Sequence, residues 1–196
     1  MKRILLHTCC APCMLPSLEV LLGRVEWKRV LLEKPDYEIF VWPYNPNISD
    51  PFEYQRRKNA IVSVLQKAYP EVHLVEDKSE QDREHWHTYA QLLKNEQERG
   101  KRCLFCYGYR LFRAFGMAKK MGLDGVATTL TLSPLKNTLA INQIGERLSV
   151  RWGIPYIVSD FKKNDGMKRS KDLCLRYGVY RQNYCGCEFS LSSREK

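Results

Sequence analysis

Arg3-Ile4-Leu5-Leu6-His7-Thr8 runs without a break into Cys9-Cys10-Ala11-Pro12-Cys13. A short, uninterrupted apolar run bounded by a turn signal reads as a strand buried on both faces, the pattern of a parallel sheet. Pro12 has the backbone angle of a first helical turn. The chain is therefore expected to leave the strand at the cysteines and continue as a helix over 12–22. A basic start followed by apolar residues is also how a secretory signal begins. Here the apolar stretch is too short and no small-residue cleavage site follows it, so a cytoplasmic protein is expected.

The alternation continues downstream. A strand over 38–42 is closed by Pro43-Tyr44-Asn45-Pro46-Asn47, and Asp50, Pro51 and Glu53 then open a helix reaching about residue 69. Strands are expected over 72–76, 125–130 and 156–160. Helices are expected over 81–99, 103–121, 142–152 and 167–177, with Gly122 and Gly178 ending two of them. An aromatic, cysteine-bearing tail follows. Short apolar strands alternating with helices define an α/β chain with a mostly parallel sheet flanked by helices, here expected to be Rossmann-like (HUP-like) and a single domain over 1–196. In such sheets the ligand sits beyond the carboxyl ends of the strands, where Cys9, Cys10, residues 128–131 and Asp160 fall.

The composition is basic, with Lys+Arg 32 against Asp+Glu 22 and a net charge of +10. Clusters such as Arg56-Arg57-Lys58, Lys162-Lys163 and Lys168-Arg169 are spread along the chain, which suits a folded face for nucleic acid better than a basic tail. No run of about 18 apolar residues occurs, so no membrane span is expected.

Eight cysteines in a reducing compartment point to metal or redox chemistry rather than to disulfides. Seven fall in three tight groups: Cys9-Cys10-x-x-Cys13, Cys103-x-x-Cys106 and Cys185-Gly186-Cys187. Adjacent Cys9 and Cys10 at a strand end cannot both point into one core face. Cys103 and Cys106 share one face of a helix start, where the N-terminus stabilises thiolates, the metal-ligating form. Gly186 allows a turn tight enough to bring Cys185 and Cys187 towards one point. Four thiolates suit a structural zinc or a four-iron cluster, and seven exceed one site. Cys-Cys-x-x-Cys with its adjacent pair, and Cys-x-Cys, are not the spacings of zinc knuckles, which favours a redox cluster over zinc or dispersed thiols. Cys174, alone inside a helix, reads as a small core hydrophobe. His7 reads as a core histidine, and His85 and His87 as solvated.

The segments Leu6-His7-Thr8-Cys9-Cys10-Ala11-Pro12-Cys13, Tyr44-Asn45-Pro46-Asn47, Cys103-Leu104-Phe105-Cys106-Tyr107-x-x-Arg110-Leu111 and Thr128-Thr129-Leu130-x-x-Ser133-Pro134 resemble the QueH epoxyqueuosine reductases. So do Asp160-Phe161-Lys162-Lys163, Lys168-Arg169-Ser170 and Tyr180-Arg181-Gln182-Asn183-Tyr184-Cys185-Gly186-Cys187-Glu188-Phe189-Ser190. The resemblance implies reduction of epoxyqueuosine to queuosine in a tRNA anticodon loop, without cobalamin and with an unidentified electron donor. It implies that Cys9, Cys10, Cys103 and Cys106 hold a [4Fe–4S] cluster. Cys185 and Cys187 would be a redox-active pair, or ligands of one additional iron with Cys13 as a third.

Removing an epoxide oxygen takes two electrons and two protons, so a second centre beside a one-electron cluster makes chemical sense. A Cys-x-Cys dithiol holds two electrons; an iron with an open position would act as a Lewis acid. The proton donor is sought among Asp160, Tyr107, Tyr180 and Tyr184. Lys136, Arg169, Arg181 and Arg110 are the basic candidates for RNA near the site, with Tyr44 and Asn45 on the same sheet edge. Two other readings differ in class. An ATP-using tRNA-thiolating enzyme needs a Ser-Gly-Gly-x-Asp-Ser-like phosphate loop where Thr8–Cys13 stand, which argues against it. A zinc-stabilised RNA-binding module is the non-enzyme alternative.

Overall fold

β1 (Lys2–His7), β2 (Tyr37–Trp42), β3 (His73–Leu74) and β4 (Gly125–Thr128) form an all-parallel sheet in the order β3-β2-β1-β4. The computed structural model describes residues 1–25, 36–76 and 79–191. β1 is central, pairing through Ile4–His7 with β2 on one side and β4 on the other. Alternate residues of the strand feed opposite cores, as the period of two requires. Ile4 and Leu6 pack with α1 (Ala11–Leu21) and α2 (Pro51–Ala68), whereas Leu5 packs with Ala114, Phe115 and Ala118 of α4 (Lys101–Met121). That two-sided burial is why the run carries no polar alternation. It is the α/β architecture expected, with helices on both faces.

Two helix starts show how local chemistry fixes the scaffold. Asp50 caps α2 by accepting from the Phe52 N–H at 2.9 Å, as Asp50-Pro51 predicts. Glu53 does not close a capping box and instead pairs with Arg57. In α1, Pro16 lies inside the helix and has no N–H for the carbonyl of Pro12. Ser170 of α6 (Gly166–Tyr177) supplies the missing donor, its hydroxyl reaching that carbonyl at 2.7 Å. α6 begins at Gly166, where a Cβ would lie 1.8 Å from the Phe161 carbonyl oxygen, so the loop leading into the helix closes on a glycine.

One expected strand is not a strand. Residues 156–160 make a single parallel bridge, Val126 to Tyr156. Beyond it the Asn142 side chain of α5 (Thr138–Trp152) takes over the backbone, accepting from Ser159 N–H and donating to Ser159 C=O at 2.9 Å. A side-chain amide has replaced the ladder. The polar segment expected as one helix over 81–99 is α3 (Ser79–Gln91) followed by turns. Cys174 is 2% exposed in the core under α1, as a hydrophobe should be. No helix of the described residues is long and apolar enough to cross a membrane.

Candidate active site: a thiol-lined cavity

A cavity of about 200 Å³ opens at the carboxyl ends of β1 and β4, and Cys9, Cys13, Cys103, Cys106, Cys185 and Cys187 all line it. Cys10, 1% exposed, lies behind Cys9. The Sγ atoms of Cys9, Cys10 and Cys13 lie within 4.8 Å of one another, and those of Cys9 and Cys10 are 3.6 Å apart. Three separate elements thus deliver the groups read from the sequence: the β1–α1 turn, the first turns of α4, and the segment after α6.

Buried polar residues hold each group in place. His7 is wholly buried, with Nδ1 accepting from the Thr128 hydroxyl at 2.8 Å and Nε2–H donating to the Tyr44 carbonyl at 3.1 Å. Burial foremost, with the Arg110 cation second, drives its pKa down to about 3, so the ring is neutral. It ties together the ends of the three longest strands just before Cys9. Asn45 donates to the Thr8 carbonyl at 3.0 Å and accepts from Arg110. Thr129 accepts from the Cys9 N–H at 3.2 Å while its hydroxyl points to the Cys9 sulfur at 3.5 Å. The start of α4 is anchored by Arg102, whose Nη1 donates to the Leu93 and Lys94 carbonyls at 3.1 Å.

The Cys185-Gly186-Cys187 turn is fastened from α2. Arg57, 4% exposed, donates through Nη1 to the Cys185 carbonyl at 2.9 Å and through Nη2 to the Tyr184 carbonyl at 3.2 Å. Its Nε pairs with Glu53 at 2.6 Å, and Glu53 also accepts from the Tyr180 hydroxyl at 3.0 Å. Gly186 has φ +101, which a side chain would resist, and its carbonyl accepts from the Ser49 N–H at 3.0 Å.

The sulfurs sit in a field of donors and cations. Cys10 Sγ accepts from Gln182 Nε2 at 2.7 Å, and Cys103 Sγ from the Arg99 N–H at 3.2 Å. Hydrogen bonds from Cys10 and Cys13, with Lys136 and Arg110 nearby, hold the Cys9 thiol well below its usual range. A hydrogen bond from Cys187, with Lys136, Arg110 and Arg57, brings Cys185 down to about 5. Cys187 rises in consequence, and burial lifts Cys10 to about 12 and Cys106 to about 11. Burial opposes the charge on Lys136, but the neighbouring cysteines, the Cys185 and Cys9 thiolates first, outweigh it and raise its pKa.

The other residues singled out in the sequence are distributed unevenly. Asn45, Tyr107, Arg110, Lys136 and Arg181 line the cavity with the thiols, as does Tyr184. Arg110 is 1% exposed, so it is an interior cation and not a surface clamp for phosphate. Tyr44 is fully buried, stacked on Trp42 at 4.3 Å with its hydroxyl donating to Asp82; only its backbone carbonyl serves the site, through His7. Arg169 reaches Glu19 at 3.9 Å, and the Asp160 carbonyl closes a turn with Lys163; neither lines the cavity. Tyr180 is engaged with Glu53 and lies under the Arg56 guanidinium, 3.5 Å from its ring centre. His87 is not simply solvated: it binds Glu188 at 2.6 Å and holds the tail. Arg57, Thr129 and Gln182 fall in stretches noted in the sequence, but none has a site role assigned there, and all three act on the site. A single amide, hydroxyl or guanidinium that serves a backbone carbonyl or a sulfur has no spacing signature.

A donor set made only of thiols, with N–H and O–H groups on the sulfurs and cations to offset their charge, fits a soft metal or an iron–sulfur cluster. Fold and cavity together define a parallel α/β protein with a cysteine-lined cavity, able to hold a metal, at the carboxyl edge of its sheet. The family model for "Epoxyqueuosine reductase QueH" matches residues 4–193, and the chain belongs to that family. It is 33% identical over 196 residues to the epoxyqueuosine reductase QueH of Thermotoga maritima, covering all of this chain and 94% of that protein. To the proteins of the same name from Streptococcus pyogenes serotype M1 and Staphylococcus epidermidis it is 35% and 34% identical, covering 95% and 96% of this chain and 69% and 76% of theirs.

Proposed function

We propose that this chain reduces epoxyqueuosine to queuosine in a tRNA anticodon loop, independently of cobalamin. The observation that carries the reading is the convergence of six cysteine side chains, Lys136 and Arg110 on one cavity in a QueH-family chain. One sheet with helices on both faces runs through the described residues, which supports treating 1–196 as a single domain. The absence of a membrane-spanning helix among them and the basic charge suit a cytoplasmic enzyme with an RNA substrate.

Cys9, Cys10, Cys103 and Cys106 would hold a [4Fe–4S] cluster, which when bound supplies single electrons at low potential. The substrate reaction is epoxide plus two electrons and two protons giving alkene and water. Cys185 as thiolate and Cys187 as thiol balance it: one S–S bond forms and gives two electrons, the Cys187 S–H gives one proton and the Lys136 ammonium the other, and the epoxide oxygen leaves as water. A low-potential electron donor then restores the dithiol. Cys13 lies with Cys9 and Cys10, which favours this pairing over an additional iron held by Cys13, Cys185 and Cys187. Lys136, kept protonated by the thiolates around it, and Arg110 present positive charge to the departing oxygen, and Tyr107 adds a hydroxyl that burial keeps protonated. Arg181 and Tyr184 at the mouth are placed to receive the nucleotide, and Asn45 fixes Arg110.

The test is an anaerobic assay of iron-loaded protein with dithionite on tRNA bearing epoxyqueuosine, without cobalamin, reading queuosine by mass spectrometry. Formation of queuosine is expected; none from fully loaded protein overturns the function. Cys185→Ser is expected to keep the brown absorption at about 400 nm and lose turnover. Loss of all iron from that variant would overturn the dithiol assignment.

A further inference from the structure

Three of the four sulfurs given to the cluster meet a hydrogen-bond donor, each from a different part of the chain. Cys9 Sγ meets the Thr129 hydroxyl at 3.5 Å, Cys103 Sγ the Arg99 N–H at 3.2 Å, and Cys10 Sγ the Gln182 side-chain amide at 2.7 Å. Thr129 follows β4 and Arg99 precedes α4, so both belong to the framework of the cavity. Gln182 does not. It stands three residues before Cys185, in the segment that carries the Cys185-Gly186-Cys187 turn. One stretch of chain thus touches Cys10 and also supplies the proposed dithiol.

Two of these donors are held at a cost to the fold. Gln182 Oε1 is buried without a hydrogen-bond partner among the described residues, so the amide is seated for its N–H side alone. Arg99 has φ +73, in the left-handed region that a side chain resists, and gives its N–H to Cys103. Unmet acceptors and backbone strain that persist at a site serve what the site does and not its stability. An apolar side chain at 182 would avoid the unmet acceptor; the amide is there for the sulfur.

The effect of such a donor follows from charge. A ligated cysteine has lost its proton, so its sulfur only accepts. One-electron reduction of a four-iron cluster adds one negative charge, which is shared with the ligand sulfurs. A donor on a ligand sulfur therefore stabilises the reduced form more than the oxidised form and raises the reduction potential. The effect is strongest where water does not screen it. Cys10, 1% exposed, meets that condition, and bulk water gives its sulfur no substitute donor.

We infer that Gln182 raises the reduction potential of the cluster through its hydrogen bond to Cys10, from the same segment that carries the dithiol. This rests on the proposed function, which gives Cys10 to the cluster. Gln182 is a positioning residue for charge at Cys10 and acts through that sulfur.

The experiment is an anaerobic redox titration of the full, iron-loaded chain with mediators and without tRNA, reading the EPR signal of the one-electron-reduced cluster. Iron content and the brown absorption are measured on the same samples. Gln182→Leu is expected to keep the iron of wild type and to reduce at a more negative potential. The shift expected is about tenfold in the one-electron equilibrium constant, or about 59 mV. Gln182→Glu keeps the size of the side chain, loses the N–H and adds a carboxylate that opposes the incoming electron, so its potential falls further. A role in packing alone would not produce that order. Potentials equal to wild type in both variants overturn the inference, and so does a shift to more positive values. Loss of the cluster from both variants also overturns it, because Gln182 would then hold the iron and not set its potential. Wild-type protein that forms a four-iron cluster and no queuosine removes the proposed function, while the titration still decides the role of Gln182. Unchanged potentials beside normal queuosine formation do the reverse.

Discussion

Arg57 Nη1 donates to the carbonyl of Cys185 at 2.9 Å, so a guanidinium on α2 sets where the sulfur after α6 stands. The same side chain holds Tyr184 and is itself held by Glu53. Arg57→Met removes the fastening and leaves Glu53 as a buried carboxylate. A loss of about 3–5 kcal/mol is expected for breaking one side of such a pair. The double variant Arg57→Met/Glu53→Gln should recover part of that stability and none of the turnover, because the Cys185 turn stays unfastened. Denaturant melts beside queuosine formation check this, and full turnover in the double variant would refute the positioning role.

Cys185 and Cys187 are expected to differ sharply in reactivity although one residue separates them. In metal-free protein the hydrogen bond from Cys187, with Lys136, Arg110 and Arg57, holds Cys185 at about 5, so it is thiolate throughout neutral pH. Iodoacetamide labelling followed by peptide mass spectrometry should show Cys185 modified at a rate already level at pH 7 and falling through pH 5. Cys187, raised by that neighbour, should lag. A Cys185 rate that keeps climbing to pH 9 would contradict the arrangement.

The contrast between Cys185 and Arg57 also marks what the sequence makes legible. Cys9, Cys103 and Cys185 announce themselves because thiols are scarce and their close spacing has few structural uses. The strand at Arg3–Thr8 announces itself because burial on both faces leaves an unbroken apolar run. Arg57 sits in a basic run that reads as solvated or RNA-facing, yet it is 4% exposed, since only the approach of residues 184–186 turns it inward. The missing strand at 156–160 has the same cause: whether Ser159 joins a ladder depends on Asn142, 17 residues away. Arg110 was legible as a cation near the site, but not as a buried one, because Asn45 that receives it comes from a distant loop.

Cys174 offers a negative control for the thiol assignments. It is 2% exposed in the core with Leu173 and does not line the cavity. Cys174→Ala is expected to cost about 1 kcal/mol, the loss of one small buried group. Iron content and turnover should match wild type. A variant short of iron would return Cys174 to the metal centre.

His7 gives the protein a titration whose sign is fixed by its burial, with the Arg110 cation second. The folded pKa of about 3 lies below the ordinary value of 6.5, so the unfolded chain binds one more proton than the folded one between those limits. The contribution of the neutral ring to stability is complete above pH 6.5 and is lost as pH falls towards 3. The slope is about 1.4 kcal/mol per pH unit where the difference is a full proton. Other groups titrate in this range, so the comparison that isolates His7 is with His7→Gln. That variant keeps a donor for the Tyr44 carbonyl and has nothing to protonate. In metal-free protein its unfolding free energy should fall less steeply than wild type's from pH 6.5 to pH 4. Parallel curves would mean that His7 is charged in the fold and that Thr128 donates nothing to it.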